Sequence, residues 1–122
     1  MKANEIRTGN LFSQKGFPMY VEAIFRDTVY LNFKGNEGDV WEEDIKDLVP
    51  IPLTEEILLK AGFEKDTGEF YLYKDITVRK TYYSDDFWRF IFKQQRIKDI
   101  KYLHDLQNTI FALTGEDIKI EL

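Results

Sequence analysis

Between residues 5 and 53 apolar and polar positions alternate in short runs, at 6–12, 19–25, 28–33 and 39–41. Turn-forming residues separate them at Lys15-Gly16, Arg26-Asp27 and Gly35-Asn36-Glu37-Gly38. A period of two interrupted this often predicts short antiparallel strands rather than helices, and a chain segment of this length closes such strands into a small curled, barrel-like sheet. Pro50 and Pro52 hold the following stretch extended and mark a boundary near residue 53.

The pattern then changes. Thr54 followed by Glu55 and Glu56 is a helix start, with a side-chain oxygen for the orphan N–H groups and carboxylates at the positive end of the dipole. Ile57, Leu58 and Ala61 form its apolar stripe and Gly62 its stop. Strand patterns return at 69–73, 76–82 and 87–92, joined by Lys74-Asp75 and by residues 83–86, links short enough for an antiparallel meander. Residues 98–118 read as one long amphipathic helix. Ile100, Leu103, Leu106, Gln107, Ile110, Phe111 and Leu113 share a face, Asp99 stands at the N-cap position and Gly115 at the stop. Ile118, Ile120 and Leu122 alternate with Lys119 and Glu121 as a short terminal strand. The fold class is therefore α+β. A barrel-like antiparallel β unit, 1–53, precedes a helix–meander–helix–strand unit, 54–122, either as two units or as one continuous compact domain.

Two blocks carry a resemblance. Ile51-Pro-Leu-Thr-Glu-Glu-Ile-Leu-Leu-Lys-Ala-Gly-Phe63 and Ile100-Lys-Tyr-Leu-His-Asp-Leu-Gln-Asn-Thr-Ile-Phe-Ala-Leu-Thr-Gly-Glu116, with the opening residues 1–10, resemble a family of small uncharacterised proteins encoded by gut Bacteroides-type bacteria and their phages and prophages. Where that family often carries an aromatic residue in the first block, this chain has Ile57. The resemblance implies a cytoplasmic location and a mobile-element context, and it brings no catalytic residues with it.

Composition narrows the classes. A chain of 122 residues with 43% hydrophobic and 16% aromatic content buries a real core. It has no cysteine, which removes disulfides, thiolate metal sites and cysteine nucleophiles together. The N-terminus lacks the apolar run of a secretory signal, and no segment has the apolar length to cross a bilayer, so a soluble intracellular protein is expected. The net charge of -5 argues against extended nucleic-acid binding. Charge is unevenly spread: Glu37, Asp39, Glu42, Glu43, Asp44 and Asp47 cluster in the first half, whereas Arg79, Lys80, Arg89, Lys93, Arg96, Lys98 and Lys101 enrich the second.

No catalytic constellation can be written. His104 is the single histidine, Gly-rich phosphate loops are absent, and Ser13 and Ser84 fall in turns with no base nearby in sequence. Asp39, Glu42, Glu43, Asp85 and Asp86 are explained by turns and solvation before metal or acid–base chemistry. No cofactor and no metal site is expected. Gln107, polar on the apolar helix face, reads as a hydrogen-bonded, partly buried group in preference to a ligand contact.

The chemistry-bearing feature is one face of the meander. Alternation assigns Phe70, Leu72, Ile76, Val78, Trp88, Phe90 and Phe92 to the side under the long helix. Tyr71, Tyr73, Thr77, Arg79, Thr81, Tyr83, Phe87, Arg89 and Ile91 take the other side. Tyrosines that stack a base beside arginines that pair a phosphate are how open sheets hold nucleotides, so Tyr71, Tyr73, Arg79, Tyr83 and Arg89 are the candidate ligand-binding residues. The same composition suits an interface, with the first unit or in a homo-oligomer. Three classes follow. The first is a binding protein that sequesters an anionic nucleotide-like signal of host defence. The second is an inhibitor or adaptor of a host protein, acting through this face or through the acidic 37–47 segment as a charge mimic. An enzyme is a distant third.

Overall fold

The computed structural model describes residues 3–122; Met1 and Lys2, which open the family-like block 1–10, lie outside the described residues. The chain is α+β, with ten strands in two antiparallel five-stranded sheets and two α-helices among the described residues. It divides into two compact units, one comprising the described residues up to Ile51 with Leu103–Glu116, the other Pro52–Tyr102 with Asp117–Leu122.

The first unit contains β1 (Leu11–Gln14), β2 (Phe17–Phe25), β3 (Thr28–Asn32), β4 (Trp41–Asp44) and β5 (Val49–Pro50), in the spatial order β4-β3-β2-β1-β5. The β1–β2 link is tight, with Lys15 and Gly16 both at positive φ, the conformation a two-residue hairpin requires. Register shifts between Val21 and Ala23, and a bulge there bends the long β2 so that the sheet curls into a half-barrel. Two strands separate β1 from β4, yet Gln14 Nε2 donates to Glu43 Oε2 at 3.1 Å, a contact only a curled sheet can make. Ile6, Phe12, Met19, Val21, Val29, Leu31, Ile45 and Leu48 fill its interior. The strand expected at 6–12 begins only at Leu11, because residues 7–10 form a turn in which Arg7 N–H donates to Asn10 Oδ1 at 2.7 Å.

The long helix corrects the sequence-derived unit boundaries. Helix α2 (Leu103–Thr114) belongs to the first unit, not to the meander. Gln107 Oε1 accepts from Leu11 N–H at 2.9 Å while its Nε2 donates to the Gly9 carbonyl at 3.2 Å. Asn108 bonds Asn10 and the Glu5 carbonyl, at 2.8 and 2.9 Å. His104 stacks on Phe12 with ring centroids 4.9 Å apart, and the Arg7 guanidinium sits 4.0 Å from the Phe111 ring centre. Gln107 is thus the buried, hydrogen-bonded group its place on an apolar face suggested. Gly115 ends the helix at φ +75°, its N–H donating to the Phe111 carbonyl.

The second unit opens with α1 (Glu55–Lys60). Thr54 caps it by accepting from Ile57 N–H at 3.2 Å, and Ile57, Leu58 and Ala61 are buried, as the sequence indicates. Then follow β6 (Glu64–Lys65), β7 (Phe70–Tyr73), β8 (Ile76–Lys80), β9 (Trp88–Phe92) and β10 (Gln95–Ile100), a meander in the order β10-β9-β8-β7-β6. Trp88 is buried, and its Nε1 donates to the Leu53 carbonyl at 3.0 Å, fixing the segment before α1 against β9. Two expectations fail here. Residues 95–100 are a strand paired with β9, so Asp99 is no helix cap, and residues 118–122 form no strand.

Candidate functional site

Register decides which side chains share the open face of the second sheet. Phe70 pairs with Arg79, Arg79 with Arg89, and Arg89 with Asp99, so one row across β7–β10 reads Phe70, Arg79, Arg89, Asp99. The next row on that face reads Glu64, Leu72, Thr77, Ile91, Arg96 across β6–β10. The reverse face carries Tyr71, Val78 and Phe90 in one row and Tyr73, Ile76 and Phe92 in the other.

The five sequence-predicted residues therefore divide. Arg79 and Arg89 are direct cross-strand partners, and Tyr83 joins them from the β8–β9 loop by donating its hydroxyl to Asp99 Oδ2. Tyr71 and Tyr73 lie on the opposite face and cannot share a ligand with the arginines. Tyr71 is buried edge-on against Trp88, ring centroids 5.7 Å apart, and burial, with the Glu55 carboxylate at the start of α1, pushes its phenol up. Tyr73 packs 5.3 Å from Phe63. The physical reason is the hairpin at Lys74-Asp75. A two-residue link makes Tyr73 and Ile76 direct partners, so an inward Ile76 brings Tyr73 and Tyr71 inward and turns Phe70 and Leu72 outward.

Two residues of the face were missed. Tyr82, 88% exposed, lies under the Arg79 guanidinium, 4.6 Å from its ring centre. Its signal was available as the first aromatic of Tyr82-Tyr83 beside a basic strand. Asp99, read as a helix cap, is the carboxylate of the arginine row. It accepts from Tyr83, from Arg89 Nε at 3.4 Å and from Arg96 Nη2 at 3.4 Å.

Electrostatics follow from this geometry. The Tyr83 hydroxyl bond, reinforced by both guanidiniums, holds the Asp99 carboxyl below the usual carboxylate range, and the same bond pushes the Tyr83 phenol up. Two like charges on directly opposed strand positions repel. Asp99 offsets Arg89, but Arg79 has no carboxylate partner among the described residues and is held only by the ring of Tyr82. Glu64, in the second row, stands two strands from Arg79. The face thus combines an uncompensated guanidinium, a second one oriented through its Nε edge, and the aromatic surfaces of Phe70, Tyr82 and Tyr83, 41%, 88% and 64% exposed. It can stack a planar group and pair an anion.

Among the described residues no group of three or more His, Asp or Glu side chains is placed to hold a metal ion, and no helix is long and apolar enough to cross a membrane. Comparison of the chain with protein-family models, with curated proteins and with solved structures finds no match.

Proposed function

We propose that the protein is a non-enzymatic binding protein that holds an anionic, nucleotide-like molecule on the open face of its second sheet. The observation that carries this reading is Arg79: a guanidinium opposed by a second arginine, unpaired by any carboxylate among the described residues and stacked on an exposed tyrosine. An anion bridging Arg79 and Arg89 relieves their repulsion, and a base stacks on Tyr82 or Phe70. The resemblance to proteins of gut Bacteroides-type bacteria and their phages supplies the setting. In the host cytoplasm such a protein sequesters a nucleotide signal of host defence, as a self-associated chain.

A second reading, an inhibitor or adaptor of a host protein, is favoured by Phe70 and Leu72, which lie half-exposed beside the arginines and suit a protein interface better than a nucleotide. Native mass spectrometry of protein purified from its expressing cells, before and after mild unfolding, separates the two. A released nucleotide-sized mass that is missing from Arg79→Ala supports the ligand reading. An apo mass that stays unchanged through a panel of added nucleotides removes it and leaves the protein partner.

A further inference from the structure

Among the described residues each sheet ends in a strand paired on one side only, and two of these edges, β4 and β10, are opposite in charge. Strand β4 is one edge of the first sheet and reads Trp41-Glu42-Glu43-Asp44. Strand β10 is one edge of the second and carries Arg96 and Lys98 between the flanking Lys93 and Lys101; its single acid, Asp99, is engaged on the open face by Tyr83 and Arg89 as well as by Arg96, so the edge keeps a net positive charge. Each edge also exposes a large apolar side chain, Trp41 at 45% and Ile97 at 41%. Ile97 sits at the β10 bulge, where no β9 residue is its partner.

A free strand edge presents a row of unmet N–H and C=O groups, and charges on it act against pairing with its own kind. Here β4 repels a second β4, and β10 repels a second β10. What the charges do not oppose is β4 meeting β10. An antiparallel register that sets Trp41 beside Ile97 also sets Glu42 opposite Arg96, so apolar side chains meet on one face and opposite charges on the other. From this complementarity we infer that β4 of one copy pairs with β10 of a second copy, a head-to-tail contact through the strand edges. This goes beyond the binding reading above and does not depend on it, since edge pairing leaves the open faces of the sheets uncovered.

The test is sedimentation velocity of the full chain over a concentration series, at about 50 mM and about 500 mM salt, conditions on either side of strong screening. Wild type associates at low salt and shifts toward monomer at high salt. The double variants Glu42→Lys/Asp44→Lys and Arg96→Glu/Lys98→Glu, all at surface positions and checked for fold by circular dichroism, are each monomeric. Mixed one to one they associate again, because each supplies the edge charge the other has lost. A wild type that stays monomeric at low salt overturns the inference, as does association that neither salt nor the charge reversals weaken. If a double variant fails to fold, the wild-type salt series together with Glu42→Gln decides, with weaker association expected and unchanged association contradicting the proposal.

Discussion

Asn10 donates its side-chain amide to Oδ1 of Asn108 at 2.8 Å, across 98 positions of sequence. Asn10 is fully buried, and its own Oδ1 accepts from Arg7 N–H, so one side chain both closes the 7–10 turn and fastens α2 to it. Removing either partner strands a buried polar group, so Asn10→Ala destabilises the protein by about 2 kcal/mol. A double-mutant cycle with Asn108→Ala, read by urea unfolding, gives a coupling of about 1 kcal/mol, whereas additive effects contradict a direct bond.

Tyr71 and Arg79 behave oppositely. Tyr71→Ala opens a cavity beside Trp88 and removes a buried ring, costing about 3 kcal/mol of stability. Arg79→Ala leaves stability within about 0.5 kcal/mol, as surface changes do, but abolishes anion binding. Thermal melts and isothermal titration on the two variants check this; loss of binding in a folded Tyr71→Ala with binding intact in Arg79→Ala would reverse the assignment of faces.

Gly62 follows α1 at φ +96°, and a Cβ there would stand 3.4 Å from the Tyr73 ring. Gly62→Ala therefore meets left-handed backbone strain, with the ring at ordinary contact distance, and it lowers stability by about 1 kcal/mol. Equal melting temperatures for variant and wild type would show that the helix end relaxes freely.

The Tyr83–Asp99 bond gives two opposite pH dependences. The Asp99 carboxyl is depressed, so its contribution is present above the ordinary carboxylate pKa and is lost as pH falls through its lowered value. The Tyr83 phenol is raised, so its contribution is present below the ordinary phenol pKa and is lost as pH rises through its raised value. Tyr83→Phe removes the phenol's contribution and the part of Asp99's that the hydroxyl bond supplies, leaving the part due to Arg89 and Arg96. The stability difference between wild type and Tyr83→Phe, measured by urea unfolding, is constant from weakly acid to neutral pH and shrinks at both extremes; a difference that grows toward acid pH contradicts the bond.

Much of the fold was legible where local chemistry spoke clearly. Thr54 and Gly62 delimit α1, Lys15-Gly16 turns β1 into β2, and the apolar spacing of Leu103, Leu106 and Ile110 marks α2. The β9–β10 hairpin was hidden because its turn uses Lys93 and Gln94 at positive φ, residues that announce no turn, and the strand beyond it then read as the first turns of a helix. The parity of β7 was ambiguous because Phe70-Tyr-Leu-Tyr73 is apolar at every position; the short Lys74-Asp75 link held the answer. The attachment of α2 to the first sheet depends on Gln107 and Asn108 reaching residues 5–11, a pairing no periodicity carries. The arginine pair of the site was readable from alternation, and its counter-ion was not, because Asp99 enters the row only through the hidden hairpin.

The central claim is that Arg79 and Arg89 receive an anion, and the most direct measurement follows the Nε–Hε resonances of both in nitrogen-15-labelled protein as a nucleoside monophosphate is added. The account predicts saturable shifts of both guanidinium resonances, with the backbone amide of Tyr71 on the reverse face little moved, and no shifts at Arg89 in Arg79→Ala. Arginine resonances that stay in place through millimolar nucleotide would contradict it.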